Sequence, residues 1–508
     1  WVYCVQYRET DFMFISRLME QEVIYYYFKH EDGKHKLVLC DSRSKHASFE
    51  GFEAIDFRPP GETSILQEHI WDWTIRSVVQ PGKFVHTDYN FKKPKIQLIN
   101  PAEQLQGHSR ADHEIFDYPG EFTEKGEGEQ YAKVRIEELQ ARHEMLTGQS
   151  NVRGIAPGHT FKLKDHPRDD QNREYLITAA DYVVTSPAFE SAQGQSDSPM
   201  FTCSFSAIAS AVQFRSERIT PKPVIQGAQS AVVVGPSGEE IYPDEFGRVK
   251  VQFFWDRYGK RDENSSCWIR VSQVHAGKSF GGIDIPRVGE EVVVGYEEGD
   301  PDRPLIIGRV YNDDQKVPFS LPGQMVVSGM KSNSTKGGGG YNEMSMNDTK
   351  GKEVVTVHAQ YDMNTTVENN QTDVVHNNRT TTVDVDDTET VGNNQSISVG
   401  VDQTETIGSN QTISVGSNQS LTVGSNQDVS VGAAQTINVG ASRSMTTGAG
   451  LTVSVGAGSS TTIAADDTIS VGASQSLTVG ANRSASVGAN DSVTVSGNQT
   501  VAAGGNVT

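Results

Sequence analysis

Apolar residues recur at helical spacing in two stretches of the first third of the chain. The first stretch follows Thr10, a residue type that favours helix N-caps. The second predicts a helix from about Glu129 to Leu146, ended by Gly148. Intervals of three and four residues between apolar side chains are typical of an amphipathic helix. In the first helix these side chains are Phe12, Ile15, Leu18 and Met19.

Strand patterns predominate elsewhere in the first two thirds of the chain. Two β-rich runs on either side of Asp32 and Gly33 predict a tight hairpin. The stretches PGHTFKLKDHP and REYLITAADYVV are also predicted as strands. From about Pro221 to Asn312, short strands alternate with glycine and proline turns, which is typical of a small closed barrel of the OB type. Residues 313–350 are predicted to form a polar linker.

The last third of the chain repeats every eight residues. Fifteen repeat positions run from 392 to 504; glycine stands at thirteen of them, and Ala464 and Ser496 fill the other two. The preceding residue is Val or Ile in all but two cases, and another apolar residue usually stands two positions earlier. Residues two apart in a strand share a face. Each octad is therefore predicted to be a short strand with a corner.

This pattern assigns two sets of structural residues. The predicted core residues of the repeat are Ile413, Val415, Leu421, Val423, Val429, Val431, Ile437, Val439, Ile469, Val471, Leu477 and Val479. The predicted turn glycines are Gly400, Gly408, Gly416, Gly424, Gly432, Gly440, Gly472, Gly480 and Gly488. Glycine is expected at the corners because it tolerates left-handed backbone or because a larger side chain has no room there.

A single octad is too small to be stable, so the octads must stack. Three octads would make one triangular turn, and neighbouring strands would come either from one chain or from three chains wound together. The repeat alone leaves both arrangements open. In the interwound arrangement, strands about 4.8 Å apart give a rise of about 0.6 Å per residue and, from Val367 onward, a needle about 85 Å long.

The composition of the chain excludes several classes of partner and of site. The net charge of −21 and the pI near 5.1 disfavour nucleic acid and anionic membrane surfaces as partners. No apolar run approaches the length of a transmembrane helix. Cys4, Cys40, Cys203 and Cys267 lack the spacing of a zinc site or a disulfide framework and are predicted to be free thiols.

Candidate chemical motifs are weak. His143 begins the stretch HEMLT, but Thr147 stands where a zinc-protease helix has its second histidine. His108 and His113 flank Asp112 without a further ligand at useful spacing. The stretches GEGEQY, DVDDTE and EGDPDRP are better explained as a helix start, a solvated acidic corner and a turn with surface charges. The sequence therefore predicts no catalytic residue, no cofactor and no metal site.

Four ordered motifs carry a resemblance. The segments QYRETDFMFISRLMEQEVIYYYFKHEDGKHKLVLCD, DEFGRVKVQFFWDR and WIRVSQVHAGKSFGGIDIPRVGEEVVVGYEEGDPDRPLIIGRVYN, followed by the valine-glycine octads, closely resemble the VgrG family of type VI secretion spikes. That family is similar to the hub and spike proteins of contractile phage tails. The resemblance implies a mainly β, multidomain fold with four parts. These are phage hub-like β-barrel domains with a few helices at 1–215, N-terminally incomplete, an OB-fold collar at 216–312, a linker at 313–350 and a triple-stranded β-helix needle at 351–508.

The resemblance also implies a function. The expected protein is a homotrimeric, non-enzymatic spike that punctures target membranes mechanically and carries effectors. Its implied partners are the Hcp tube at the base, a PAAR-repeat protein at the needle tip, baseplate proteins and secreted effectors. It would be made in the bacterial cytoplasm, assembled in the baseplate and secreted or injected into target cells. The alternatives are a trimeric surface adhesin with a β-solenoid stalk and a β-solenoid polysaccharide enzyme, which would need clustered carboxylates on the coils.

Overall fold

The computed structural model of the protein describes residues 3–61, 67–185 and 201–505. It comprises two units, Trp1–Val374 and Val375–Thr508. The predicted mainly β, multidomain class is confirmed, since the described part of the first unit holds two α-helices and 22 strands. Residues 186–200 of the predicted hub and 506–508 of the predicted needle lie outside the described residues.

Helix α1 (Asp11–Gln21) begins where the sequence predicts. The Oγ1 of Thr10 accepts a hydrogen bond from the backbone N–H of Met13 at 3.2 Å. The apolar stripe, however, is not the buried face, because Phe12 is 67% exposed while Arg17 is buried. Glu9 makes this burial possible, since its carboxylate lies 2.8 Å from the Arg17 guanidinium and neutralises it.

The predicted hairpin is present directly after α1. Its strands are β1 (Tyr25–Glu31) and β2 (Lys34–Cys40), antiparallel, with Glu31 opposite Lys34. The two residues between them form the turn, and Gly33 has a φ of 65°, a left-handed conformation that glycine adopts without strain.

A seven-stranded sheet forms the main core of the first unit. Its order is β3-β10-β11-β12-β9-β5, with β4 also paired to β10. Tyr175, Phe161 and Leu146 are among its fully buried side chains. The strands are β3 (Ala47–Ser48), β4 (Ala54–Asp56), β5 (Ile70–Ser77), β9 (Glu144–Ser150), β10 (His159–Lys164), β11 (Glu174–Val184) and β12 (Phe201–Ala209).

Helix α2 (Lys125–Ala141) packs on a smaller sheet. That sheet has the order β7-β6-β8 and consists of β6 (Lys83–His86), β7 (Asn100–Glu103) and β8 (Glu114–Asp117). The prediction that this helix continues to Leu146 is wrong. Leu146 lies in strand β9, which is paired on both sides, opposite Ala207 of β12 and Ile75 of β5, so strand pairing overrides the local helical pattern.

The region from Pro221 to Asn312 contains a five-stranded sheet with the order β14-β13-β18-β19-β15. Val249 and Ile269 exchange backbone hydrogen bonds of 3.1 and 2.8 Å, which join the two ends of this order into a closed barrel. The barrel strands are β13 (Gln229–Val234), β14 (Lys250–Phe253), β15 (Arg270–Val271), β18 (Glu291–Tyr296) and β19 (Pro304–Arg309), and a small ribbon is formed by β16 (His275–Ala276) and β17 (Gly281–Gly282).

The predicted linker at 313–350 contains regular structure. Strands β20 (Val327–Lys331), β21 (Glu343–Asn347) and β22 (Val354–His358) form an antiparallel three-stranded sheet. The glycine-rich stretch lies in the connection between β20 and β21. Short 3₁₀ helices elsewhere in the first unit are Arg43–Lys45, Asp169–Gln171 and Glu297–Gly299.

Candidate functional site

The octads form a segment with regularly spaced bends. The chain bends every eight residues, from Gln360 and Tyr361 to Gly504 and Gly505, and every predicted turn glycine lies at a bend. Within the described residues 375–505 there is no backbone-to-backbone hydrogen bond. Ordered backbone groups need partners, so those of this segment must bond to water or to another chain.

The predicted core residues are not buried by their own chain. Those just before the glycine position are 43–50% exposed, and those two residues earlier are 52–71% exposed. The first group comprises Val415, Val423, Val431, Val439, Val471 and Val479; the second comprises Ile413, Leu421, Val429, Ile437, Ile469 and Leu477. Two rows of mainly aliphatic side chains therefore remain open to a covering surface.

Neither the backbone conformation nor the contacts within the described chain explain why glycine occupies the turn positions. None of them has a φ in the left-handed region, and a Cβ added to any of them would meet nothing within 4 Å. The expected left-handed backbone is thus absent at these positions. The other explanation is that a larger side chain would have no room at these positions. In that case the atoms that limit the space must belong to another chain. The glycines concerned are Gly400, Gly408, Gly416, Gly424, Gly432, Gly440, Gly472, Gly480 and Gly488.

Carboxylates interrupt the more exposed of the two aliphatic rows, which lies three residues before each glycine position. Glu389 and Glu405 occupy the repeat position that Ile397 and Ile413 occupy in neighbouring octads. Each accepts a hydrogen bond from the glutamine six residues later, at 3.2 Å for Glu389 and 3.0 Å for Glu405. The eight-residue pattern predicted the aliphatic members of this row but not these two acids.

A second cluster of interest joins the hub to the barrel. Lys222 Nζ lies 2.8 Å from Asp300 Oδ2, 3.2 Å from Asp302 Oδ2 and 3.3 Å from Glu121 Oε1. Burial opposes the charged form of Lys222, but these carboxylates outweigh it and raise the lysine pKa. Burial also raises the pKa of Asp302, whose Oδ1 accepts a bond from the backbone N–H of Val5 at 2.7 Å.

Arg303 completes this cluster. Its Nη2 lies 2.7 Å from Asp88 Oδ1, and the Asp88 carboxylate is fully buried. The stretch EGDPDRP was predicted to be a turn with surface charges, and that prediction is wrong for Asp300, which is 8% exposed. The paired charges across the junction give the cluster a structural role, because each buried carboxylate has a cation beside it.

The other candidate motifs serve local structure. His143 Nδ1 lies 2.9 Å from the carbonyl oxygen of Val78, and its ring contacts that of His108 at a centroid distance of 5.3 Å. Asp112 and His113 are exposed. In the part of the chain that the structure describes, no group of three His, Cys, Asp or Glu side chains is placed to hold a metal ion.

The acidic and cysteine residues singled out earlier are also accounted for. GEGEQY lies in the first turns of α2, where the Glu127 carboxylate accepts the backbone N–H of Glu124 at 3.4 Å. DVDDTE is exposed. The four cysteines are free thiols, and burial raises the pKa of both Cys203 and Cys267 to about 11, so neither is a thiolate at neutral pH.

Over the described ranges, none of the helices has both the length and the apolar character that crossing a membrane requires.

Three family models match the chain in succession. Residues 1–188 match the phage tail baseplate hub (GPD) family. Residues 233–311 match the type VI secretion system/phage-baseplate injector OB domain, in agreement with the closed barrel. Residues 328–439 match the bacteriophage T4 gp5 C-terminal trimerisation domain.

Curated relatives carry related descriptions. The chain is 49% identical over 371 residues to the type VI secretion system spike protein VgrG1a of Pseudomonas aeruginosa, covering 73% of this chain and 58% of that protein. It is 47% identical over 382 residues to VgrG1b of the same species, covering 75% and 51%. It is 36% identical over 377 residues to the actin cross-linking toxin VgrG1 of Vibrio cholerae, covering 74% and 34%. The chain thus spans about a third to three fifths of the length of these relatives.

Solved structures show more distant likenesses. The E. coli c3393 protein, described as a type VI secretion component similar to T4 tail proteins gp27 and gp5, is 21% identical with a TM-score of 0.38, covering 60% of this chain and 62% of that chain. A chain of the lidless PdpA-VgrG complex is 9% identical with a TM-score of 0.42, covering 70% and 67%.

Proposed function

Because the chain belongs to the VgrG family of type VI secretion spike proteins, we propose that it forms the homotrimeric, cell-puncturing spike at the tip of the type VI secretion tube. The proposal assigns the hub to residues 1–215, the collar to 216–312 and the needle to 351–508. The stretch 313–350 then connects collar and needle and includes part of the three-stranded sheet.

One observation carries the proposal. Residues 375–505 keep a strict eight-residue bend period without any backbone hydrogen bond of their own among the described residues. A lone chain would lose conformational entropy to adopt this form and gain no backbone hydrogen bonds in return. Pairing with other copies supplies those bonds, covers the aliphatic rows and accounts for the glycine positions.

We infer three copies from the bend period taken together with the family match. Three octads can close one triangular turn, and three interwound chains would leave no free strand edge along the needle. The match of residues 328–439 to a trimerisation domain supports three copies. The twelve predicted core residues would then face the shared axis, with serine and threonine outside.

The proposed action is mechanical. When the tube is driven forward, the axial load on the needle is resisted by many backbone hydrogen bonds that must shear together. This role requires stiffness and no catalytic centre, so we propose that this chain is not an enzyme. The ion pairs Lys222–Glu121 and Arg303–Asp88 support the same role, because they join the collar to the hub.

The partners are assigned by position. The hub would dock on the Hcp tube and baseplate proteins, and the last coil of the needle would bind a PAAR-repeat protein that covers its strand ends. Effectors would travel on this assembly into target cells. The net charge of −21 supports the exclusion of nucleic acid as a partner.

Two measurements test the proposal. The native mass of the purified chain is expected to be three times 55.4 kDa; a stable single subunit with an ordered tail would contradict it. Secretion is expected to require Hcp. If the protein instead fractionates with the outer membrane independently of Hcp, the trimeric adhesin is the better assignment.

A further inference from the structure

We propose that one face of the sheet formed by β20, β21 and β22 is an interface between copies of this chain, and that this interface sets the register of the octads. We call it the methionine face and define it by Ser328, Met330, Met344, Met346, Val355 and Val357. The inference rests on the proposed function, because it assumes that several copies assemble.

Strand pairing places these six residues on one side of the sheet. Met330 lies opposite Met344, which lies opposite Val357; Ser328, Met346 and Val355 form the adjacent row. Directly opposed residues of antiparallel strands share a face, as do residues two apart.

The methionine face is apolar and uncovered in the single chain. Met330 is 74% exposed, Met344 58% and Val355 66%. Five of its six side chains are apolar. Three-stranded sheets depend on burying one hydrophobic face, and here the apolar side chains of this face are 42–74% exposed.

The opposite face has its own contacts. Lys331 Nζ lies 3.9 Å from the ring centroid of Tyr341, and the Tyr341 and His358 rings stack at 4.5 Å. Ser345 is buried on this side. The opposite face is thus partly covered by its own side chains and is more polar, with Thr356 exposed on it, whereas the methionine face is apolar and exposed.

The neighbouring segments of the chain indicate that further copies of this chain cover the methionine face. Strand β22 ends at His358, and the eight-residue bends begin at Gln360. The match to the trimerisation domain begins at residue 328, inside β20. The methionine face and the aliphatic rows of the octads therefore belong to one continuous stretch of chain. Methionine suits such a surface, since its unbranched side chain adapts to irregular gaps.

The register of the octads must be set by a structural feature outside the repeat. Most octads share one pattern, so a chain that slips by eight residues would still place aliphatic residues at most positions of the rows and glycine at most corners. Register is weakly specified where the pattern repeats. A unique, non-repeated apolar surface immediately before the repeat penalises such slips, because it is covered only when the copies are aligned.

Hydrogen peroxide footprinting tests the interface without mutation, because methionines report their own exposure. In the native assembly, peptide mass spectrometry is expected to show Met330 and Met344 converted to sulfoxide at least tenfold more slowly than in urea-dissociated protein. Equal rates in an assembly of trimeric mass would overturn the interface and leave the trimer intact. A monomeric mass would instead contradict the proposed function.

A pair of variants tests the register. Val355→Asp places a carboxylate on the methionine face, and Thr356→Asp places the same charge on the opposite face of the same strand. At equal protein concentration, Val355→Asp is expected to increase the fraction of dissociated or off-register species at least tenfold over Thr356→Asp, as measured by analytical ultracentrifugation and by needle length in electron micrographs. Indistinguishable profiles for the two variants would refute the inference. Met344→Leu, which keeps the face apolar, is expected to assemble as the unaltered protein does.

Discussion

The double substitution Val423→Asp and Val431→Asp offers a direct test of which side chains face the shared axis. Both valines precede a glycine position and belong to the aliphatic rows. Thr422→Asp with Ser430→Asp is the matched control, because it adds the same charges one residue earlier, on the face predicted to be solvated. General charge repulsion is therefore equal in the two variants.

The magnitude follows from the exposed fractions of the valines. Full burial of a valine side chain stabilises by about 1.5–3 kcal/mol relative to full exposure. Val423 and Val431 are 43% and 46% exposed in one chain. Other copies would therefore contribute about 4–8 kcal/mol through the six valines of a trimer. The lower value alone corresponds to about a thousandfold in the association constant, and buried carboxylates add an unfavourable desolvation energy.

Native mass spectrometry and thermal unfolding measure the outcome. The valine variant is expected to lose the trimer or to melt at clearly lower temperature, whereas the control is expected to assemble normally. If both variants keep trimeric mass and melt at the same temperature, the inward assignment of the twelve core residues is wrong.

Three further predictions concern the repeat and the hub. Deleting residues 424–431 is expected to shorten the needle and preserve trimers, whereas deleting four of these residues should abolish assembly; similar behaviour of the two deletions in size analysis would contradict the octad assignment. Burial lowers the pKa of His86 below its ordinary value of 6.5, so the unfolded chain binds the proton more readily and the free energy of unfolding should fall as the pH drops below that value. Denaturant titrations of the unaltered chain and of His86→Gln check this, and an equal pH dependence in both would refute it. Gly128→Ala should destabilise the hub by about 1–3 kcal/mol because the new methyl group would clash with the Asn100 amide, whereas Gly126→Ala in the same helix meets no atom within 4 Å and should be neutral or stabilising in thermal melts.

Local patterns predicted much of the fold. The Thr10 cap, the hairpin at Asp32 and Gly33 and the bends of the octads each depend on residues within one turn or one strand. In such cases the sequence neighbours are also the structural neighbours, so spacing and turn chemistry are sufficient. The closed barrel was predictable for a similar reason, since each of its short strands is bounded by turn residues.

The predictions that were wrong concern residues whose structural partners are distant in the sequence. Leu146 continues a helical stripe, but its environment is decided by strands β5 and β12, which are distant in the sequence. Asp302 receives a hydrogen bond from Val5, 297 positions away, and Arg303 pairs with Asp88, 215 positions away. Local spacing contains no information on such partners. The open faces of the first helix and of the β20–β22 sheet were missed because burial depends on what packs there.

The lack of backbone-to-backbone hydrogen bonds within the described residues 375–505 has a consequence for biosynthesis. Ribosomes make this segment after the hub and collar, and each new tail exposes unpaired backbone that any strand edge can capture. Correct pairing then competes with misassembly while sister chains are still being completed. Closely spaced ribosomes on one message would favour correct pairing, so slower translation initiation should lower the properly assembled fraction as well as the total yield.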